Sequence, residues 1–203
     1  EAAPAFDPAL RTHPAGGFPL LCLGLFGAPA VLDGIEQPSS AHYELGALKA
    51  SVSKAEYVEA IGAIKERIAE GATYQVNYTY RLRASFAGDA WAFFQRLVQG
   101  QKTRHAAFVD TGDFAVCSAS PELFFGLRNG VVTSRPMKGT ARRGRTAAED
   151  RHQAEALRNS AKDRAENIMI VDMVRNDIGR IAEPGSVATP SQYDVEKYPT
   201  VWQ

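Results

Sequence analysis

The chain has 203 residues, enough for one sizeable hydrophobic core or for one domain with part of another. Its 45% hydrophobic and 23% charged residues are ordinary for a globular protein, and 23 basic side chains balance 23 acidic ones. That neutrality supplies no field for nucleic acid or an anionic membrane surface. The longest apolar stretch, residues 18–32, is too short and too interrupted by glycine and proline to span a bilayer. No basic-then-apolar leader is visible, and Cys22 and Cys117 lack metal-ligand spacing, so a reduced, cytoplasmic setting is expected. A start at Glu1 instead of Met, and an end at Gln203, suggest a piece of a longer protein.

Residues 1–17, rich in Ala, Pro and Gly, read as loop, and Leu20 to Phe26 as a buried strand. A short strand is expected near His42 to Leu45. The first strong helix signal spans about Lys54 to Glu70. Ser53 and Glu56 have capping-box spacing, Gly71 suits the C-terminal end, and Tyr57, Ala60, Ile61, Ile64 and Ile68 form an apolar stripe. From Tyr74 to Arg83 apolar and polar residues alternate, which predicts a half-buried strand. Asp89 then caps a short helix, Ala90 to Gln99, closed by Gly100.

Four strands follow: His105 to Asp110, Phe114 to Ser118, Leu123 to Arg128 and Val131 to Ser134. Asn129–Gly130 is a hairpin signal because both residues tolerate positive φ. The expected arrangement is an antiparallel meander. Gly139 to Arg145 is a loop, Thr146 and Glu149 open a polar helix to about Arg158, and Ser160 caps another through Asp177, ended by Gly179. Short strands are expected near Val187 and Tyr193 to Val195.

Three residues carry candidate chemistry. Lys138 sits in Arg135–Pro136–Met137–Lys138–Gly139–Thr140, framed by proline and glycine. A lysine in an apolar pocket gives up its ammonium form and becomes a usable nucleophile, whereas most loop lysines are simply solvated. Glu122 precedes Leu123–Phe124–Phe125, and a carboxyl group desolvated by such a run suits proton transfer. Glu166 lies in a helix that is apolar almost all round yet interrupted by acidic residues. Carboxylates entering a buried helix need a partner. Either Mg²⁺ or internal pairs, Asp163–Arg164 and Asp172–Arg175, would supply one. The Arg142–Arg143–Arg145 cluster suits either a carboxylated substrate or a solvated loop, and is too small to argue for nucleic acid.

In order along the chain, Ala72 to Asn77, Ser120 to Phe124, Arg135 to Thr140, Lys162 to Gly179, Pro184 to Val187 and Val195 to Pro199 resemble the blocks of the chorismate-utilising enzymes. The resemblance covers about Ser53 to the end. It is strongest with the branch that converts chorismate to 4-amino-4-deoxychorismate on the way to para-aminobenzoate and folate. Its anthranilate and isochorismate or salicylate synthase relatives typically carry Ala where this chain has Lys138.

The resemblance implies an α+β fold of antiparallel sheets packed face to face with flanking helices, as in anthranilate synthase component I, here incomplete. Residues 1–52 would end an N-terminal region, and 53–203 would begin the chorismate-binding catalytic domain. It further implies that Lys138 attacks the chorismate ring at C2 and that Glu122 protonates the departing C4 hydroxyl. Gly139 and Thr140 would contact substrate, and Glu166 would bind Mg²⁺. Ammonia would come from a glutamine amidotransferase subunit. Gln203 stands where the family usually has His, a residue associated with pyruvate elimination. Further family elements lie beyond Gln203, so this stretch alone is expected to be inactive. A non-catalytic domain that binds chorismate or docks an amidotransferase is the reading of another class. The joint presence of Glu122, Lys138 and Glu166 argues against it.

Overall fold

A computed structural model describes residues 7–12, 19–31, 34 and 41–203. The chain divides into two compact units, Glu1–Ile35 and Glu36–Gln203. In the first unit the expected strand from Leu20 to Phe26 does not form. Leu23, Leu25 and Phe26 are fully or almost fully exposed. A strand needs a neighbour to take its N–H and C=O groups, and among the described residues none pairs with this stretch. The 1–17 loop lies mostly outside the described residues.

The second unit is α+β, with every sheet antiparallel and two-stranded among the described residues. β1 (Tyr43–Leu45) pairs β4 (Phe86–Gly88), and β2 (Lys49–Ala50) pairs β3 (Leu82–Arg83). Between them lies α1 (Lys54–Ala69), started by the expected capping box: Ser53 Oγ accepts from Glu56 N–H, and Glu56 accepts from Ser53 N–H. The alternating stretch from Tyr74 forms a ladder only at its last two residues. Tyr57 of α1 lies against Tyr78 and Tyr80, with ring centroids 5.7 and 6.0 Å apart, but Tyr74, Val76 and Tyr80 remain exposed. The period-two pattern is present without the partner strand that would turn it into sheet.

α2 (Ala90–Gln101) holds the main core. Its N-cap Asp89 accepts from Ala92 N–H, and the helix runs through Gly100 to a left-handed cap at Lys102. Ala92, Phe94 and Gln95 are buried. Phe94 and Trp91 pack on Phe108 of β5 (His105–Asp110), at centroid distances of 5.5 and 5.1 Å. Phe93 meets Tyr43 and Phe86 of the β1–β4 ladder. Aromatic edge-to-face pairs of this kind add modestly to the burial of their area.

β5 (His105–Asp110) and β6 (Ala115–Ser120) form one hairpin, and β7 (Leu123–Arg128) and β8 (Val131–Arg135) another. Asn129 and Gly130 have φ of 50° and 77°, as the tight turn requires. The two hairpins follow each other without hydrogen-bonding edge to edge, so the meander is interrupted at Pro121–Glu122. Proline withholds an N–H from any ladder.

β9 (Ala141–Arg142), α3 (Ala147–Asn159), α4 (Ala161–Gly179) and β10 (Val201–Trp202) complete the unit. Thr146 Oγ1 accepts from Glu149 N–H, and Ser160 Oγ accepts from Asp163 N–H. Leu157 of α3 is buried, but no residue of α4 is, and Ile168 and Met173 are about half exposed. The expectation of a buried α4 is therefore corrected. No strand forms near Val187 or Tyr193 to Val195; the chain returns instead as β10, paired with β9. No helix among the described residues is long and apolar enough to cross a membrane.

Candidate active site

β7 and β8 deliver both ends of the candidate site. Glu122 immediately precedes β7, and Arg135 ends β8 opposite Leu123. That register brings Glu122 back to the chain it left thirteen residues before Arg135. Its Oε1 accepts a hydrogen bond from Met137 N–H at 2.9 Å, one residue before Lys138. Its N–H is held by Ser120 Oγ at 3.2 Å. Among the described residues no protein group bonds the second carboxyl oxygen. The Leu-Phe-Phe run does not desolvate Glu122: the residue is exposed, with Phe124 and Phe125 turned largely to solvent.

Lys138 is half-buried. Gly139, at φ +83°, turns the chain after it in the left-handed region. A Cβ added there would stand 3.0 Å from both Asp163 Cβ and Leu157 Cδ1. Gly139 thus lets the lysine loop lie directly on α3 and on the first turn of α4. Thr140 is exposed beside it.

Lys138 and Met137 line a groove of about 960 Å³ between the β7–β8 hairpin, α4 and the segment that follows α4. Asp163, Arg164, Asn167 and Arg175 face it from α4. Arg164 stacks over Tyr193, with its guanidinium carbon 4.5 Å from the ring centroid. Neither Glu122 nor Glu166 is among the groove-lining residues. Glu166 is directed elsewhere on α4, with Oε1 3.3 Å from Lys162 Nζ. The sequence-expected pairs Asp163–Arg164 and Asp172–Arg175 do not form among the described residues.

As a Mg²⁺ site the donor set is sparse. No group of three or more His, Cys, Asp or Glu converges among the described residues. Glu166 offers one carboxylate, which is compatible with Mg²⁺ because that ion often keeps waters and substrate oxygens as its other ligands.

The most tightly bonded polar cluster of the region centres on Arg143, which is neither a solvated loop residue nor free for a substrate carboxylate. Its Nε and Nη2 donate to the two oxygens of Asp150 at 2.8 and 2.6 Å, and its Nη1 donates to the Tyr198 carbonyl at 2.6 Å. Asp150 also accepts from Gly144 N–H and from Trp202 Nε1, both at 2.9 Å. The bidentate Arg143 contact, the two further donors and the Arg143 charge hold the Asp150 carboxyl far below the usual carboxylate range, against the opposing effect of desolvation. Arg143 lies over the Trp202 ring at 5.1 Å. The one sequence signal was an Arg-Gly pair followed by an acidic residue in the first turn of a capped helix.

A chorismate binding enzyme family matches residues 28–203. Aminodeoxychorismate synthase component 1 of Salmonella typhimurium is 44% identical over 155 residues, covering 76% of this chain and 34% of the relative. Its Klebsiella aerogenes counterpart is 43% identical over 173 residues, covering 85% and 38%. In three dimensions, anthranilate synthase component I from Streptococcus pneumoniae TIGR4 superposes with a TM-score of 0.62 at 27% identity, over 81% of this chain and 36% of that one. The chain thus spans little more than a third of the length of the relatives it matches. The matched length, the α+β architecture and the lysine loop set between two hairpin ends agree: the chain belongs to the chorismate binding enzyme family.

Proposed function

We propose that this chain carries part of the active site of an aminodeoxychorismate synthase, which aminates chorismate to 4-amino-4-deoxychorismate for para-aminobenzoate and folate synthesis. The observation that carries the reading is the Glu122–Met137 hydrogen bond, which sets a carboxyl group beside the loop bearing Lys138. A nucleophile and a proton donor held on one frame are what such a displacement needs.

Lys138 Nζ forms a bond to ring C2, the ring double bond shifts, and the C4–oxygen bond breaks. Glu122 supplies the proton with which the C4 hydroxyl leaves as water. Ammonia then bonds to C4, the double bond shifts back, and the C2–nitrogen pair returns to Lys138. The sum is chorismate plus ammonia to 4-amino-4-deoxychorismate plus water. Gly139 keeps the loop close to α4 and Thr140 contacts substrate. Glu166 would be one ligand of a Mg²⁺ ion, which would supply the positive charge that neutralises the ring carboxylate. The ammonia comes from a glutamine amidotransferase partner, and the setting is cytoplasmic.

Lys138 favours this outcome over an anthranilate or isochorismate synthase, where that position typically lacks an amine. The full-length protein, given chorismate, ammonia and Mg²⁺, is expected to yield 4-amino-4-deoxychorismate by chromatography and mass. Fluorescent anthranilate, or isochorismate, as the product would overturn the assignment. No consumption of chorismate at all would leave a binding or docking domain.

A further inference from the structure

The lysine loop is anchored on both sides by one short hairpin at the end of the chain. Glu196 and Gln203 exchange N–H···O bonds at 2.7 and 3.1 Å, and Tyr198 N–H donates to Val201 O at 2.9 Å. On the upstream side Arg135, which begins the Arg135–Thr140 stretch, pairs with Glu196 Oε1. The Tyr198 hydroxyl donates to Glu196 Oε2 at 3.0 Å and lies 3.4 Å from the carbonyl of Pro121, the residue before Glu122. On the downstream side the Tyr198 carbonyl accepts from Arg143. The returning arm pairs with β9, with Val201 opposite Arg142 and Trp202 opposite Ala141.

We infer that Tyr198 is a positioning residue for Glu122 and Lys138, joining the strand entry that carries one to both ends of the loop that carries the other. Its one hydroxyl proton points mainly to Glu196, which carries it to the Arg135 side, and is shared more weakly with the Pro121 carbonyl on the Glu122 side. Its carbonyl serves the Arg143 side. Among the described residues Glu122 itself bonds the loop at Met137 N–H, next to the Leu123–Arg135 pairing of the hairpin. Burial, followed by the adjacent Glu196 carboxylate, pushes the phenol of Tyr198 up from its ordinary value. An ordinary phenol is already protonated at neutral pH, so the hydroxyl is a donor there in either case. The assignment rests on the reading of Glu122 and Lys138 as the reacting pair, but the geometry can be tested without turnover.

The experiment compares the full-length protein with Tyr198→Phe, which removes the hydroxyl and keeps the ring and the carbonyl. Glu196→Gln is the second variant, and Asp89→Ala, which removes the α2 cap, is a remote control. Each is labelled with an amine-acylating reagent and mapped by peptide mass, and each is assayed for chorismate consumption with ammonia. Tyr198→Phe is expected to raise the labelling rate of Lys138 about fivefold, the population change set by one ordinary hydrogen bond. Lys162, exposed on α4, is expected to be unaffected. In the assay kcat falls on the order of tenfold with KM nearly unchanged, because the loss is of alignment.

Should Tyr198→Phe not fold, Glu196→Gln decides by the same two readouts. Wild-type labelling and wild-type kcat in the folded variant would overturn the inference. So would equal acceleration of Lys138 labelling in Asp89→Ala, since the effect would then be general loosening. Faster labelling in a protein that never consumes chorismate would support the positioning role and count against the enzymatic reading instead.

Discussion

Helix α1 and the 135–150 loop region show two different ways of holding a chain in place. α1 is built almost wholly from neighbours in sequence: its capping box spans three residues, and its Arg67–Glu70 pair spans three more. Yet it buries no residue completely. The loop region has little regular structure, but its bonds reach across the chain. Arg135 to Glu196, Arg143 to Tyr198 and Trp202 to Asp150 join positions 52 to 61 apart. Local bonds specify what an element is. Distant ones specify where a side chain is held, and the candidate chemistry sits with the distant ones.

If that contrast is correct, changes in the loop region should cost function first and changes in α1 should cost only stability. The largest expected effect is on proton transfer. Glu122→Gln keeps an oxygen to accept from Met137 N–H but cannot supply the proton. The kcat of the full-length protein should fall by about 10²–10⁴ with the fold intact by circular dichroism. Normal turnover would remove Glu122 from the mechanism and leave it as a loop fastener.

Next is Asp150→Asn, which breaks the bidentate Arg143 contact and the charge that gathers Gly144 and Trp202. Its carboxyl titrates lower in the folded protein than in the unfolded chain. The stabilising contribution is therefore complete above the unfolded value and is lost as pH falls. Chemical denaturation should show wild-type stability declining below about pH 4, where the unfolded chain takes up the proton first. The Asn variant should be less stable at neutral pH and should lose less on acidification. An identical acid slope in both would show that other carboxylates dominate.

Gly139→Ala comes third. A left-handed φ and a Cβ 3.0 Å from two side-chain carbons both oppose it. The expected destabilisation is about 1–2 kcal/mol by urea titration, with Lys138 labelling altered as well. The smallest is Ser53→Ala, which removes one half of the α1 capping box and should cost about 1 kcal/mol with kcat unchanged. A loss of activity there equal to that of Gly139→Ala would break the distinction between the two regions.

The same contrast explains what could be read from the sequence. Ser53–Glu56, Asn129–Gly130, Asp89 and Ser160 announced their elements because each signal and its target lie within a few residues. Tyr74 to Tyr80 announced a strand and did not become one, since alternation describes one partner and says nothing of the other. α4 looked buried from its composition and is not, because the packing that covers a face is not written in that face. Lys138 and Glu122 were identified from motif blocks, and the hairpin register brings their segments together. Glu166 was identified in the same way, yet its side chain lies away from the groove beside Lys162. Tyr198 lay in a motif block and Asp150 in a capped first turn, but neither position revealed its role, which depends on Pro121, Arg143 and Trp202 brought in by the fold.

The central claim is that Lys138 is the nucleophile. Intact-mass spectrometry of the full-length protein, quenched during reaction with chorismate while ammonia is limiting, tests it most directly. A covalent adduct of one dehydrated chorismate is expected, mapped to Lys138 and absent from Lys138→Ala. An adduct of the same mass that persists in Lys138→Ala would contradict it.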